Sequence, residues 1–199
     1  AVYMECFLEE VARAAGADSL EFRRALMSKH PKHLAVLNAA ADKGNWGKPL
    51  PAGVHRGIAQ FMGYGSYSAA VAEVSVSGQG KVKVHRMVLA LDCGHAVNPD
   101  QIAAQVEGSV AFGLSAAFYG ECTVRDGRMT ELNFDRYQLL RLAEMPKVET
   151  VIVPTFDFWG GVGEPTICVA APAVLNAIFA ATGKPVRTLP LKNHGFLIV

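Results

Sequence analysis

Near Ser66 the spacing of apolar residues changes from a helical to a strand rhythm, and this switch confines the fold class. In the first third, Met4, Phe7, Leu8, Val11 and Ala15 follow an i, i+3, i+4, i+7 pattern, which predicts a helix burying that stripe and ending at Gly16. Asp18 and Glu21 predict a capping box for a second helix carrying Leu20, Phe22 and Leu26. Pro31 suits the first turn of a third, with Leu34, Leu37 and Ala41 on one face and Gly44 as its stop. Beyond Ser66, the apolar runs to either side of Ser77-Gly78-Gln79-Gly80 predict a hairpin. A second hairpin is expected over Glu121–Phe134, turned by Asp126-Gly127. Between them Asn98-Pro99-Asp100 starts a helix over about 101–118. A strand over Val148–Val153 follows, then a helix over about 171–182 with Pro172 in its first turn and Gly183 at its end. Helices and antiparallel hairpins in mixed order, without regular βαβ alternation, make the class α+β: N-terminal helices, then hairpins and packed helices.

The expected organisation is a helical segment over 1–43, a glycine-rich loop over 44–65 and an α+β core over 66–199. The loop rests on Gly44, Gly47, Pro49, Pro51, Gly53, Gly57, Gly63 and Gly65, read as breakers of regular structure. Gly63-x-Gly65 lacks the third glycine and the preceding strand of a dinucleotide fingerprint. At 199 residues and 51% hydrophobic, the chain can bury a sizeable core. Its net charge of +1 comes from dispersed basic residues, which gives no reason to expect a nucleic-acid partner. No apolar run approaches the roughly 18–20 residues of a membrane span. The opening Ala1-Val2-Tyr3-Met4 lies already inside a helical pattern, so the chain is expected to be a piece of a longer polypeptide or a processed subunit, and its cellular location is left open. Cys6, Cys93, Cys122 and Cys168 show no Cys-x-x-Cys spacing and are expected as buried free thiols rather than metal ligands. His30, His33, His85, His95 and His194 likewise show no metal-ligand spacing, and His55-Arg56 is expected as a solvated loop pair.

Two stretches carry chemistry. Gly160-Gly161-Val162-Gly163-Glu164-Pro165 sets one carboxylate at the end of a backbone run with almost no side chains. Glycines allow a ligand to approach bare backbone, and Pro165 biases Glu164 toward an extended conformation. A carboxylate at the floor of a crevice is the expectation, against the plainer reading of a loop with an incidental glutamate. On the 101–118 helix, Gln101, Gln105, Gly108, Ser109 and Phe112 share a strip, while Ala103, Val106, Val110 and Leu114 define the buried one. Gln105, next to small residues, is an amide donor and acceptor that a flat polar ligand could reach. Close packing of another element against Gly108 and Ser109 explains the same pattern. Asp92, closing a strand, is expected to cap its turn or to line a site.

Four segments together resemble the molybdenum-cofactor subunit of the xanthine oxidase/aldehyde oxidase family: 67–74, Asp92–Pro99, Gln105–Gly108 and Gly161–Pro165, in family order and over nearly the whole chain. Leu114–Glu121 and Asn176–Leu191 look most like its isoquinoline 1-oxidoreductase and aldehyde dehydrogenase branch. The resemblance implies a hydroxylase of N-heterocycles or aldehydes that takes its oxygen from water. It implies a molybdopterin cofactor carrying molybdenum, in the cytosine dinucleotide form, and iron–sulfur clusters on a small partner subunit. In that scheme Glu164 matches the base that takes a proton from a metal-bound hydroxide, and Gln105 matches a glutamine that hydrogen-bonds the pterin, with Gly108 and Gly163 beside the cofactor. The chain matches only the C-terminal part of the family's molybdenum region, so the remainder of the large subunit is an expected partner and isolated turnover is not expected. A non-catalytic binding or assembly module keeping the fold is the alternative. A thiol enzyme using Cys93 or Cys168 lacks a histidine partner in the sequence.

Overall fold

The computed structural model describes residues 1–199. Helices α1 (Val2–Ala14), α2 (Ser19–Leu26) and α3 (Pro31–Lys43) precede strands β1 (Val54–Gly63), β2 (Ser66–Val76) and β3 (Lys81–Asp92). Then come α4 (Pro99–Tyr119), the minimal hairpin β4 (Val124–Arg125) and β5 (Arg128–Met129), β6 (Lys147–Ile152), α5 (Ile167–Thr182) and β7 (Leu197–Ile198). The main sheet runs β1-β2-β3-β6, with β7 pairing the opposite end of β3. β1, β2 and β3 are mutually antiparallel, whereas β6 and β7 both run parallel to β3. The class is α+β, as the pattern predicts, and no helix is long and apolar enough to cross a membrane.

Helices cover both faces of the sheet. Ala70, Ala72 and Val74 of β2 join α4 and α5 in the larger core, while Ala69 and Val71 face α3 through Val36, Leu37, Ala40 and Ala41. A strand buried on both sides reads as a continuous apolar run, which is why 68–72 shows no alternation. α5 is buried without interruption from Val169 to Ile178. It approaches β1 so closely that a Cβ on Gly57 would lie 2.2 Å from the Ala173 oxygen and the Ala177 nitrogen.

That approach corrects the reading of 44–65 as a loop: its second half is β1, paired along its whole length with β2. Gly57 makes room for a helix there instead of breaking a strand. α5 likewise begins at Ile167, a turn earlier than expected, so Pro172 lies in its interior. A helix buried all round is held by packing, which here outweighs a proline penalty of about 3 kcal/mol.

α1 reverses the expected stripe. Met4 and Phe7 are exposed, and the buried positions are Glu5, Glu9 and Ala12. Arg23 of α2, fully buried, donates from Nε to Glu5 at 2.9 Å and from Nη1 to Glu9 at 3.1 Å. Glu5 also accepts the Gln60 amide of β1 at 3.1 Å, so the ion cluster ties α1, α2 and the sheet together. The hydrophobic period misled because the inward face is ionic. Asp18 caps α2 through Leu20 and Glu21, but Glu21 pairs with Arg24 instead of closing a capping box. Ala103 is only half-buried; the inner face of α4 is made by Ile102, Val106, Ser109, Val110, Gly113 and Leu114. Of the four thiols, Cys93 is buried, Cys6 and Cys168 are half-buried and Cys122 is exposed, a correction to the expectation for all four.

Candidate functional site

Both chemistry-bearing stretches lie at the end of the sheet where β3 finishes and α4 and α5 begin. The glycine run is stapled there by its backbone. Gly160 donates to the Cys93 oxygen at 3.0 Å and Gly161 to the Tyr64 oxygen at 2.8 Å, while the Ser66 hydroxyl donates to the Gly161 oxygen at 2.6 Å. A Cβ on Gly160 would fall 2.1 Å from Ser66 Oγ, so no side chain fits there without movement. Past the run, Pro165 is buried and its oxygen accepts the Ser68 hydroxyl at 3.2 Å. Thr166 is buried as well, its hydroxyl 2.6 Å from that of Ser109 on α4. Ser109 thus belongs to the packing between α4 and the α5 start, the plainer of its two readings.

These staples fix Glu164 on the threshold of α5, its carbonyl accepting the Ile167 amide at 3.1 Å. The carboxylate is exposed. In place of a crevice floor, the chain offers an open wall. Beside Glu164 stands Tyr64, at the tip of the β1–β2 hairpin with φ of 57°. Interaction with the Glu164 carboxylate holds its phenol above its ordinary range. Burial pushes the neighbouring Cys168 thiol up, as it does Cys93, and Cys6 is pushed up to about 12. Raised thiols are poor nucleophiles at neutral pH, which argues against the thiol-enzyme reading.

The other sequence-predicted residues lie along α4 and the glycine run. Gly163 lies against Gln105: a Cβ on the glycine would sit 4.0 Å from Gln105 Oε1. Gly108, one turn along α4, is exposed and would have nothing within 4 Å of an added Cβ. Gln105 and Gln101 line a concavity of about 310 Å³ with Cys93, His95, Trp159, Gly160 and Val162. Glu164 does not line it, so the glycine run separates an amide side from a carboxylate side. A bare glycine opposite an exposed amide, with a second bare glycine one turn away, fits a flat polar group held edge-on by Gln105, as a pterin would be. No group of three or more His, Cys, Asp or Glu side chains is placed to hold a metal directly.

Sequence reasoning missed Tyr64, Trp159 and His95. The imidazole of His95 stacks on the Trp159 ring at 5.6 Å, forming a rim with the exposed Phe156 and Phe158. The Gly63-Tyr64-Gly65 triplet held a signal for Tyr64, an aromatic at a tight hairpin tip, but the residue it meets, Gly161, is remote in sequence. Asp92 caps its turn, its Oδ1 accepting from Gly94 N at 2.9 Å and Thr155 Oγ1 at 3.0 Å. Arg56 pairs across the sheet with Glu73 at 3.1 Å and is not a solvated loop residue.

The family described as the molybdopterin cofactor-binding domain matches residues 9–146, which stops short of the glycine run. The β subunit of isoquinoline 1-oxidoreductase from Brevundimonas diminuta is 32% identical over 94% of the chain and 25% of its own length. A membrane-bound aldehyde dehydrogenase from Gluconacetobacter polyoxogenes, named for pyrroloquinoline quinone, is 31% identical over 95% of the chain and 27% of its own length. Among solved structures, the aldehyde oxidoreductase from Desulfovibrio desulfuricans superposes with a TM-score of 0.55 at 27% identity, over 63% of the chain and 14% of that structure. The chain thus spans about a quarter of the length of these curated relatives.

Proposed function

We propose that this chain, which belongs to the molybdopterin cofactor-binding family of the xanthine oxidase type, forms one wall of the catalytic site in a molybdenum-dependent hydroxylase. The observation that carries the reading is the pairing of Gly163 with Gln105 directly before Glu164. In the proposed arrangement the whole of 1–199 is the C-terminal portion of the cofactor-binding region, and the rest of the large subunit closes the site. A small iron–sulfur subunit carries electrons away. The substrate is an N-heterocycle or an aldehyde, and water is the oxygen source.

Gln105 would hold the pterin edge through its amide, which both donates and accepts. Gly108 and Gly163 would leave space for the cofactor, a molybdopterin cytosine dinucleotide, against bare backbone. When bound, that group supplies an acidified water-derived oxygen and a two-electron acceptor. Glu164 takes up the proton at a carboxylate oxygen, acting as general base. Closure of the site by the remaining subunit would exclude water and strengthen every polar contact at that carboxylate.

Metal and cofactor analysis of the intact protein, with kinetics of Glu164→Gln, tests the reading. Molybdenum and pterin should be recovered, and the variant should keep both while losing about 10²–10⁴ in turnover. Turnover within about tenfold of the parent would remove Glu164 from the role. Pyrroloquinoline quinone without molybdenum would overturn the cofactor assignment, and a protein with neither group would favour a non-catalytic assembly module.

A further inference from the structure

We infer that the outward face of α1 is an internal interface, covered in the intact protein by an apolar face of the remaining portion of the large subunit. The inference rests on the reading of 1–199 as one portion of that subunit, and not on the role of Glu164. The face carries the stripe whose period predicts burial, yet Tyr3 is 86% exposed, Phe7 64% and Met4 46%. Ala14 and Ala15 are exposed on the same side, with Leu8 and Val11 half-buried. A helix face turned to water normally carries charged and polar residues. Here the two charged residues bordering the stripe are both engaged elsewhere. Glu10 is paired with Arg187, while Arg13 is held by Glu9 at 3.0 Å and lies over the Phe179 ring at 4.4 Å. A continuous apolar patch of this kind marks an interaction site.

A groove runs beside the stripe. Two adjoining concavities, of about 200 and 380 Å³, share Val2, Tyr3, Val186 and Arg187. Phe7 walls the first, and Leu175 and Leu189 wall the second. Bulky residues at i and i+4 beside an apolar groove are the relief into which the ridges of another helix pack. Length and direction identify the occupant. The chain spans only 25–27% of its curated relatives, so most of such a subunit is other sequence. α1 runs alongside α5 in the same sense, since the Glu5 carbonyl accepts the Asn176 side-chain amide at 3.4 Å and Arg13 reaches Phe179 further on. The first turn of α1 therefore lies toward the α5 start, beside the open wall at Glu164. In the proposed arrangement the remaining portion of the subunit closes that wall, and its surface continues over Tyr3, Met4 and Phe7.

Hydroxyl-radical footprinting of the unaltered intact protein reads this face without any variant, because Tyr, Met and Phe side chains are oxidised where solvent reaches them. Oxidation of Tyr3, Met4 and Phe7, located by peptide mass spectrometry, should be at least about tenfold lower in the native protein than after unfolding in urea, as for a segment that opens rarely. That protection should persist on dilution to single copies and after removal of the small subunit. Oxidation of the three residues near the unfolded level would overturn the inference. Protection lost on dilution would assign the face to a second copy, and protection lost with the small subunit would assign it to that partner; either result also overturns the inference. An intact mass matching these 199 residues alone would instead remove the longer subunit itself, a failure read from the mass before any footprint is taken.

Discussion

Two regions of the molecule use glutamates in opposite ways. At the α1–α2 corner, Glu5 and Glu9 are buried and locked to Arg23, with further bonds to the sheet. At the start of α5, Glu164 is exposed and no guanidinium is paired with it. The first arrangement spends its carboxylates on holding three elements together. The second invests in the backbone: five hydrogen bonds and a glycine that tolerates no Cβ fix the segment while the side chain stays available. The two kinds of glutamate are separated by what pins them, side chain in one case and main chain in the other.

Removing the cation at the ionic corner should have the largest effect on stability. Arg23→Ala leaves the buried Glu5 without a cation, while Glu9 keeps Arg13, and should destabilise the fold by about 3–5 kcal/mol in denaturant titration. A loss below about 1 kcal/mol would mean that water or relaxation replaces the guanidinium, and the contrast would weaken. Gly160→Ala attacks the other region through its backbone. With Ser66 Oγ 2.1 Å and the Gly65 oxygen 2.6 Å from the new methyl, a cost of about 1–3 kcal/mol is expected. Because the displaced segment carries Glu164, turnover of the intact enzyme should fall by more than the stability loss explains. Thr166→Val removes the partner of Ser109 in a buried pair and should cost about 1–3 kcal/mol by the same unfolding measurement.

The smallest effect is in pH dependence, and its sign separates structural carboxylates from one another. Arg86 and Lys147 hold Glu149 down at about 2, so its contribution is complete above the ordinary carboxylate range and lost as pH falls through about 2. Burial raises Glu5 despite Arg23, so its folded form binds the proton more tightly and its contribution shrinks as pH rises through the raised value. Unfolding free energies followed across the acid range should therefore lose their low-pH decline in part in Glu149→Gln. An identical acid limb in the variant and the parent would contradict this assignment.

The fold class, the α4 and α5 helices and the hairpin turned by residues 77–80 were all legible in the sequence, because their apolar periods report packing directly. β1 was not, since Gly57 looks like a breaker until α5 is seen lying against it. The buried face of α1 was hidden because Arg23 of α2 pairs with two glutamates of α1, which no periodicity reveals. In the site, Gln105, Gly108 and Gly163 came from local spacing and from resemblance, and the fold brings Gln105 and Gly163 into proximity. Tyr64 stayed invisible because its place beside the glycine run depends on hydrogen bonds between the hairpin tip and Gly161.

The central claim is that Glu164 is held by its backbone and kept free for chemistry. Glu164→Gln in the intact, cofactor-loaded protein tests it most directly, with unfolding stability and turnover measured on the same preparation. Stability should stay within about 0.5 kcal/mol of the parent, as for surface substitutions, while turnover falls about 10²–10⁴. A variant that loses several kcal/mol of stability, or one that turns over within about tenfold of the parent, would contradict the account.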